Sequence, residues 1–196
     1  MNIHKSEEFS FSPENLKRAQ EIMTHYPEGR QQSALLPLLD IAQRQNGGWL
    51  SRYALDYLAQ FLGIAAIRVY EVASFYSMFN LKPVGQHLVQ VCTTTPCWLR
   101  GSDSIMDTCK SKLGIGLGET TADKQFTLVE VECLGACVNA PLVQINDDYY
   151  EDLNADQMAK IIDDLKAGKK IEIGSQLGRK GSAPEGGPQV LCEIVK

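Results

Sequence analysis

The sequence is poor in several things that would settle a function at once. No window approaches the roughly eighteen apolar residues of a membrane-spanning helix, so no direct membrane insertion is expected. Residues 1–18 (MNIHKSEEFSFSPENLKR) carry no apolar h-region, which argues against a secretory signal, and are too acidic for a typical transit peptide. Lysine and arginine are scattered and form no basic block, and the formal net charge is −5 with a pI of about 5.2. That balance argues against general nucleic-acid binding. Histidine is scarce: His4, His25 and His87 lie too far apart for a metal pair or a catalytic triad. A redox-active C-x-x-C is missing. Gly114-Ile115-Gly116-Leu117-Gly118 is not G-x-G-x-x-G and opens no helix, which rejects a dinucleotide site there. Asp147-Asp148 reads as turn chemistry and not as a metal box.

What the chain does have is six cysteines in 196 residues. The absence of an export signal points to a cytosolic setting, where thiols stay reduced and disulfides are rare. Four of the six form two tight pairs, Cys92-Thr93-Thr94-Thr95-Pro96-Cys97 and Cys133-Leu134-Gly135-Ala136-Cys137. Each pair follows an alternating apolar run that reads as a strand, residues 87–91 (HLVQV) before the first and 126–132 (FTLVEVE) before the second. A cysteine pair at a strand end sits on a turn with inward-pointing backbone N–H groups. Two such turns brought together would present four thiolates to one small volume, which suits an iron–sulfur cluster. The C-x₄-C and C-x₃-C spacings are wider than the C-x₂-C knuckles of structural zinc sites. They favour a two-iron [2Fe–2S] cluster, with zinc, disulfides or structural thiols as the alternatives.

The chain divides near Lys82-Pro83-Val84-Gly85. Before this point the periodicity is helical. Ser12 caps a first helix with Pro13 at its first position, and Tyr26-Pro27 ends it. A second helix is expected over residues 32–45, with Pro37 tolerable only near the first turn. Ser51 caps a third, closed by Gly63, and a fourth covers residues 67–78. Val69, Val72, Ala73, Tyr76 and Phe79 on that fourth helix read as core or subunit interface. After Gly85 the expected order is strand, helix (residues 99–113), strand, then a hairpin of residues 142–145 and 149–151, then a helix capped by Asn154. The fold class is therefore α+β, an N-terminal helical bundle (residues 1–83) followed by a thioredoxin-like α/β domain (84–173) that carries the cysteine pairs. An extended Gly- and Pro-rich tail (174–196) follows.

The strings LLPLLDIAQRQNGGWLS, IRVYEVASFYSMF, VCTTTPCWLRGS, VECLGACVNAPLVQINDDYYEDL and PEGG closely resemble one family of respiratory complex I proteins, the thioredoxin-like [2Fe–2S] subunits of NADH:quinone oxidoreductase. The resemblance runs from about residue 8 to about residue 187. It implies that Cys92, Cys97, Cys133 and Cys137 hold one [2Fe–2S] cluster and that the chain transfers electrons without a catalytic residue of its own. It implies a heterodimer with a flavoprotein subunit that binds FMN, NADH and a [4Fe–4S] cluster, and contact with further peripheral-arm subunits. It also implies a place on the cytoplasmic side of a bacterial inner membrane, or the matrix side in an organelle. The same module occurs in NAD-linked hydrogenases and formate dehydrogenases, and the PEGG segment looks more like the complex I branch. The ending Leu191-Cys192-Glu193-Ile194-Val195-Lys196 departs from the Thr-rich ending of that branch.

The local chemistry agrees with this reading. Cys97 lies at the start of an expected helix, whose free N–H groups favour negative charge. Thr93, Thr94 and Thr95 add donors, and Gly135 and Ala136 allow close approach of the second loop. Arg100 reads as a surface or subunit-contact residue that could also tune the site by charge. Cys109 reads as a small buried hydrophobe.

Overall fold

The computed structural model describes residues 8–181, so the PEGG segment and Cys192 lie outside the described residues. The chain forms two compact units, Met1–Val84 and Gly85–Lys196. The first contains α1 (Pro13–Thr24), α2 (Leu35–Gln45), α3 (Arg52–Leu62) and α4 (Ala66–Phe75). Its helix starts follow the local chemistry. Ser12 Oγ accepts the Asn15 N–H at 3.2 Å, and Ser51 Oγ accepts the Ala54 N–H at 3.2 Å. Gly63 closes α3 at φ 64°, in the left-handed region that glycine enters without steric cost. Leu38, Leu39, Leu58 and Val69 are fully buried, and Phe9, Phe11, Tyr57 and Phe61 pack ring against ring beside them.

Two helices differ from expectation, one for a local reason and one through a contact from another helix. The second begins not as an α-helix at residue 32 but as a 3-10 turn, Gln31–Ala34, with α2 starting at Leu35. Pro37 has no N–H to give a carbonyl four residues back, so the α-helix starts where Pro37 falls in its first turn. The fourth ends at Phe75, and Tyr76 is extended at ψ 117°. Gln43 competes for the chain beyond it. Its amide donates to the Met78 carbonyl at 3.0 Å and its carbonyl accepts the Asn80 N–H at 2.7 Å. The apolar stripe divides accordingly. Val69, Ala73 and Phe79 are buried, whereas Phe75, Tyr76 and Met78 are exposed.

The second unit is a five-stranded sheet in the order β2-β1-β3-β4-β5. Its strands are β1 (His87–Cys92), β2 (Phe126–Val131), β3 (Val143–Ile145), β4 (Asp148–Glu151) and β5 (Gly174–Ser175). β1 and β2 run parallel, with His87 opposite Phe126 and Cys92 opposite Val131. β3 lies antiparallel to β1 on its other side, β4 antiparallel to β3, and β5 parallel to β4. The helix expected over 99–113 begins later, as α6 (Ser102–Leu113), because Gly101 takes φ 96°, and a separate short helix, α5 (Thr95–Leu99), precedes it. α7 (Ala155–Lys166) starts at a reciprocal capping box, Asn154 with Gln157, both bonds 2.8 Å. Val89, Val91, Ile105, Cys109, Phe126, Leu128, Met158 and Ile162 form one buried core between sheet and helices. The extended tail expected from Gly174 begins instead as β5, which a two-residue pairing with β4 adds to the sheet. A pairing that short carries no periodicity for a sequence reading to detect.

Gly85 positions the start of β1. A Cβ there would fall 2.7 Å from the Phe126 carbonyl carbon, and the Gly85 N–H donates to Thr127 Oγ1 at 2.6 Å. Gly85→Ala is expected to cost roughly 1–3 kcal/mol through this overlap, and Asn154→Ala about 1 kcal/mol through the lost cap. Urea unfolding of the full chain measures both. A Gly85→Ala chain as stable as the parent would show that this close approach is dispensable.

Candidate metal centre

The parallel register of β1 and β2 sends both strands out at the same end of the sheet. Cys92 is the last residue of β1, and Cys133 lies two residues beyond its partner Val131. From β1 the chain turns through Thr93 and Thr94 into α5, whose first turn carries Cys97. From β2 it makes a loop in which Gly135 takes φ 87°, then a 3-10 turn, Cys137–Asn139. Both loops thus hold their cysteines in the places the sequence suggested.

The two pairs differ in burial. Cys92 and Cys97 are buried with Ala140 and Leu142, against Leu134, Ala136 and Tyr149. Cys133 and Cys137 are exposed, with their sulfurs 3.3 Å apart. Tyr149 pins the second loop by donating its hydroxyl to the Leu134 carbonyl at 2.7 Å. Thr94 stands at the N-cap of α5 but makes no cap bond; its hydroxyl lies 3.2 Å from Cys92 Sγ. Thr93 points elsewhere and donates to the Glu130 carboxylate at 2.6 Å. Arg100 is exposed.

The thiols respond to these surroundings and to one another. Burial raises the Cys92 thiol, but hydrogen bonds from the Thr94 side chain and the Leu134 and Thr94 backbone outweigh it and leave its pKa lowered. Burial pushes Cys97 up to about 12, helped by its hydrogen bond with Cys92 and opposed by the Leu142 backbone. The bond from Cys137, then the Gly135 backbone, lowers Cys133, and Cys137 is raised in turn by Cys133. Cys92 also acts electrostatically on both exposed cysteines, so the two loops share one field. Cys109, which belongs to neither loop, sits buried in α6 with its thiol pushed up to about 12 by desolvation.

Among the described residues no three His, Cys, Asp or Glu side chains converge as they would around one metal ion. The four thiols stand instead as two pairs sharing a field. One tetrahedral zinc needs four donors around a point; a two-iron cluster takes two thiolates on each iron. Four thiols in two hydrogen-bonded pairs fit the second in number and kind of donor. Leu142 and Tyr149 serve the site from outside either cysteine motif, and Leu134, inside the second, shows nothing in its residue type of the contacts it makes. Their contacts run through backbone atoms or across strands, so spacing along the chain carries no trace of them.

The profile of the family described as thioredoxin-like [2Fe-2S] ferredoxin matches residues 19–166. Among curated relatives, a subunit of the NADH-quinone oxidoreductase of Rickettsia conorii is 64% identical over 158 residues, covering 81% of this chain and 95% of that one. The mitochondrial NADH dehydrogenase [ubiquinone] flavoprotein 2 of Dictyostelium discoideum is 56% identical over 185 residues, covering 94% of this chain and 75% of that one. A crystal structure of an NAD+-reducing [NiFe]-hydrogenase in the H2-reduced state shares the fold, with a TM-score of 0.60 at 21% identity over 68% of this chain and 22% of that one. This chain therefore spans only about a fifth of the hydrogenase chain it matches. With the profile covering most of the sequence and both of its cysteine loops, the chain belongs to the thioredoxin-like [2Fe–2S] ferredoxin family.

Proposed function

We propose that this chain is the electron-transfer subunit of the NADH dehydrogenase module of NADH:quinone oxidoreductase, and that Cys92, Cys97, Cys133 and Cys137 hold its one [2Fe–2S] cluster. The observation that carries the reading is the in-register parallel pair of strands that delivers both cysteine loops to one end of the sheet. Such a cluster, once bound, takes up and passes on one electron at a time. The chain's own part is to hold and shield it. Cys92 and Cys97 come from the buried side, Cys133 and Cys137 from the exposed side, and Thr94 and the Leu134 and Leu142 backbone supply polar contacts to the sulfurs.

NADH gives up two electrons as a hydride, so a flavin has to stand between it and a one-electron carrier. This chain has no dinucleotide fingerprint, and the flavin and the NADH site belong in this reading to a partner flavoprotein subunit with FMN and a [4Fe–4S] cluster. The first unit leaves Ile67, Phe75, Tyr76, Met78 and Leu81 exposed, an apolar surface suited to a subunit contact. Among the described residues no helix is long and apolar enough to cross a membrane. In this reading the subunit belongs to a peripheral arm, on the cytoplasmic side of a bacterial membrane or the matrix side in an organelle. Relatives of 56–64% identity named for NADH oxidoreductases favour this assembly over a hydrogenase diaphorase, where the likeness is 21%.

Purified anaerobically, the chain is expected to carry about two irons and two sulfides, and after dithionite a rhombic spin-half EPR signal. One tightly bound zinc without acid-labile sulfide would overturn the cluster. Cys92→Ala and Cys137→Ala should each lose most of the cluster, because two irons are left with three thiolates, whereas Cys109→Ala and Cys192→Ser should keep its spectrum. Loss in Cys109→Ala with retention in Cys92→Ala reverses the ligand assignment.

The verified single chain should show no NADH:ferricyanide activity and should form a stable heterodimer with the flavoprotein subunit. Size-exclusion chromatography and steady-state assays measure the two. FMN bound to the isolated chain, together with NADH-dependent reduction, would contradict this division of labour.

A further inference from the structure

The second cysteine loop is exposed, yet the segment just after Cys137 is held by a residue from far along the chain. Arg179 Nη2 donates to the Val138 carbonyl at 2.6 Å and also to Asn139 Oδ1. Its Nε donates to Asp152 Oδ2 at 3.1 Å. The Asp152 side chain is only 3% exposed, and Asp152 itself takes φ 56°, in the left-handed region. The Ser175 hydroxyl donates to the same Asp152 oxygen at 2.5 Å and accepts the Arg179 N–H at 3.0 Å. The Asp152 N–H donates to the Asn139 carbonyl at 2.8 Å, and Asn139 Nδ2 donates to Glu151 Oε2 at 2.7 Å. The 3-10 turn Cys137–Asn139, the end of β4 and the segment following β5 thus meet at one guanidinium.

We propose that Arg179 is a positioning residue for the cluster site, clamping the turn that begins at Cys137 onto Asp152. The proposal rests on the reading of Cys133 and Cys137 as cluster ligands. The geometry calls for arginine. One nitrogen of the planar fork, Nη2, serves the Val138 carbonyl and Asn139, while Nε serves the buried carboxylate, and a lysine ammonium cannot span both in fixed directions. Burial of Asp152 gives the clamp its stiffness, since that carboxylate is costly to leave without its partner. With Cys137 in an exposed loop, the clamp supplies from behind the order that packing gives Cys92 and Cys97. Groups that orient metal ligands in this way change metal affinity by about 10–100-fold when removed.

The test uses the full chain with its cluster and the variants Arg179→Lys, Arg179→Gln and Asp152→Asn/Arg179→Gln. The double variant removes the buried Asp152 charge together with its half-exposed Arg179 partner, so a fold weakened by an unpaired Asp152 is separated from a lost clamp. Three readouts are taken: bleaching of the visible spectrum by an iron chelator, the EPR g-values after dithionite, and amide hydrogen exchange at Asn139 and Ala140 in the cluster-free chain. All three variants are expected to bleach roughly tenfold faster, with shifted g-values and faster exchange at those two amides. Parental bleaching and g-values in Arg179→Lys would reduce the residue to a bare charge. The same result in the double variant would reduce it to a counter-ion for Asp152. Either result overturns the proposal. Cys137→Ala is run alongside. A cluster retained there refutes the ligand reading, while amide exchange in the cluster-free chain still reports whether the clamp holds the turn.

Discussion

The parallel pairing of β1 with β2 is the constraint on which the rest of the second unit depends. Side chains in a strand alternate with a period of two, so a slip of one residue would turn Phe126 and Leu128 out of the core they fill. The register is held at its start by the contact of the Gly85 backbone with β2 and by the buried Thr127 hydroxyl that accepts the Gly85 N–H. It delivers Cys92 and the loop of Cys133 at the other end. The hydrophobic core and the thiol site are thus two readouts of one alignment.

Because β1 also pairs with β3, the floor of the site comes with the same strand. Leu142 lies just before β3, accepts the Cys92 N–H at its carbonyl at 3.4 Å, and packs with Cys92 and Cys97. Tyr149 on β4 then reaches back to the Leu134 carbonyl. Leu142 beside β3 and Tyr149 on β4 each add a restraint to the loops, and burial declines toward Cys133 and Cys137, where solvent enters. The gradient shows in the thiols themselves. Desolvation is the largest influence on Cys92 and Cys97, and the mutual hydrogen bond is the largest on Cys133 and Cys137.

Much of this was legible along the chain, where the governing interactions are local. Ser12, Ser51 and Asn154 mark helix starts because a cap bonds an N–H two or three residues ahead, and the alternation around Val89, Val91, Phe126 and Leu128 marks strands by the pleat alone. The cysteine loops stood out for the same reason. What stayed hidden involves partners distant in sequence or a single backbone angle. Gly101 at φ 96° delays a helix that reads as starting at residue 99, Gln43 ends α4 from another helix, and Arg179 reaches a turn that only the folded sheet brings near. Arg179 stands in a stretch whose composition suggests an extended arm, and nothing in its immediate neighbours signals a task.

The parallel crossover also bears on how the site comes into being. A parallel pair cannot close through a tight turn; the chain must travel through α5, α6 and the loop before β2 to return. The entropy of closing that excursion has to be met before the two loops face each other, and non-local pairings of this kind form late relative to helices. In the unfolded chain the four sulfurs are therefore two unrelated pairs with no common site. Any group that binds all four binds only the folded sheet, and its binding free energy adds to the stability of the β1–β2 pairing. Ligation at one end of the sheet and packing at Gly85 on the other are in this way parts of a single folding equilibrium.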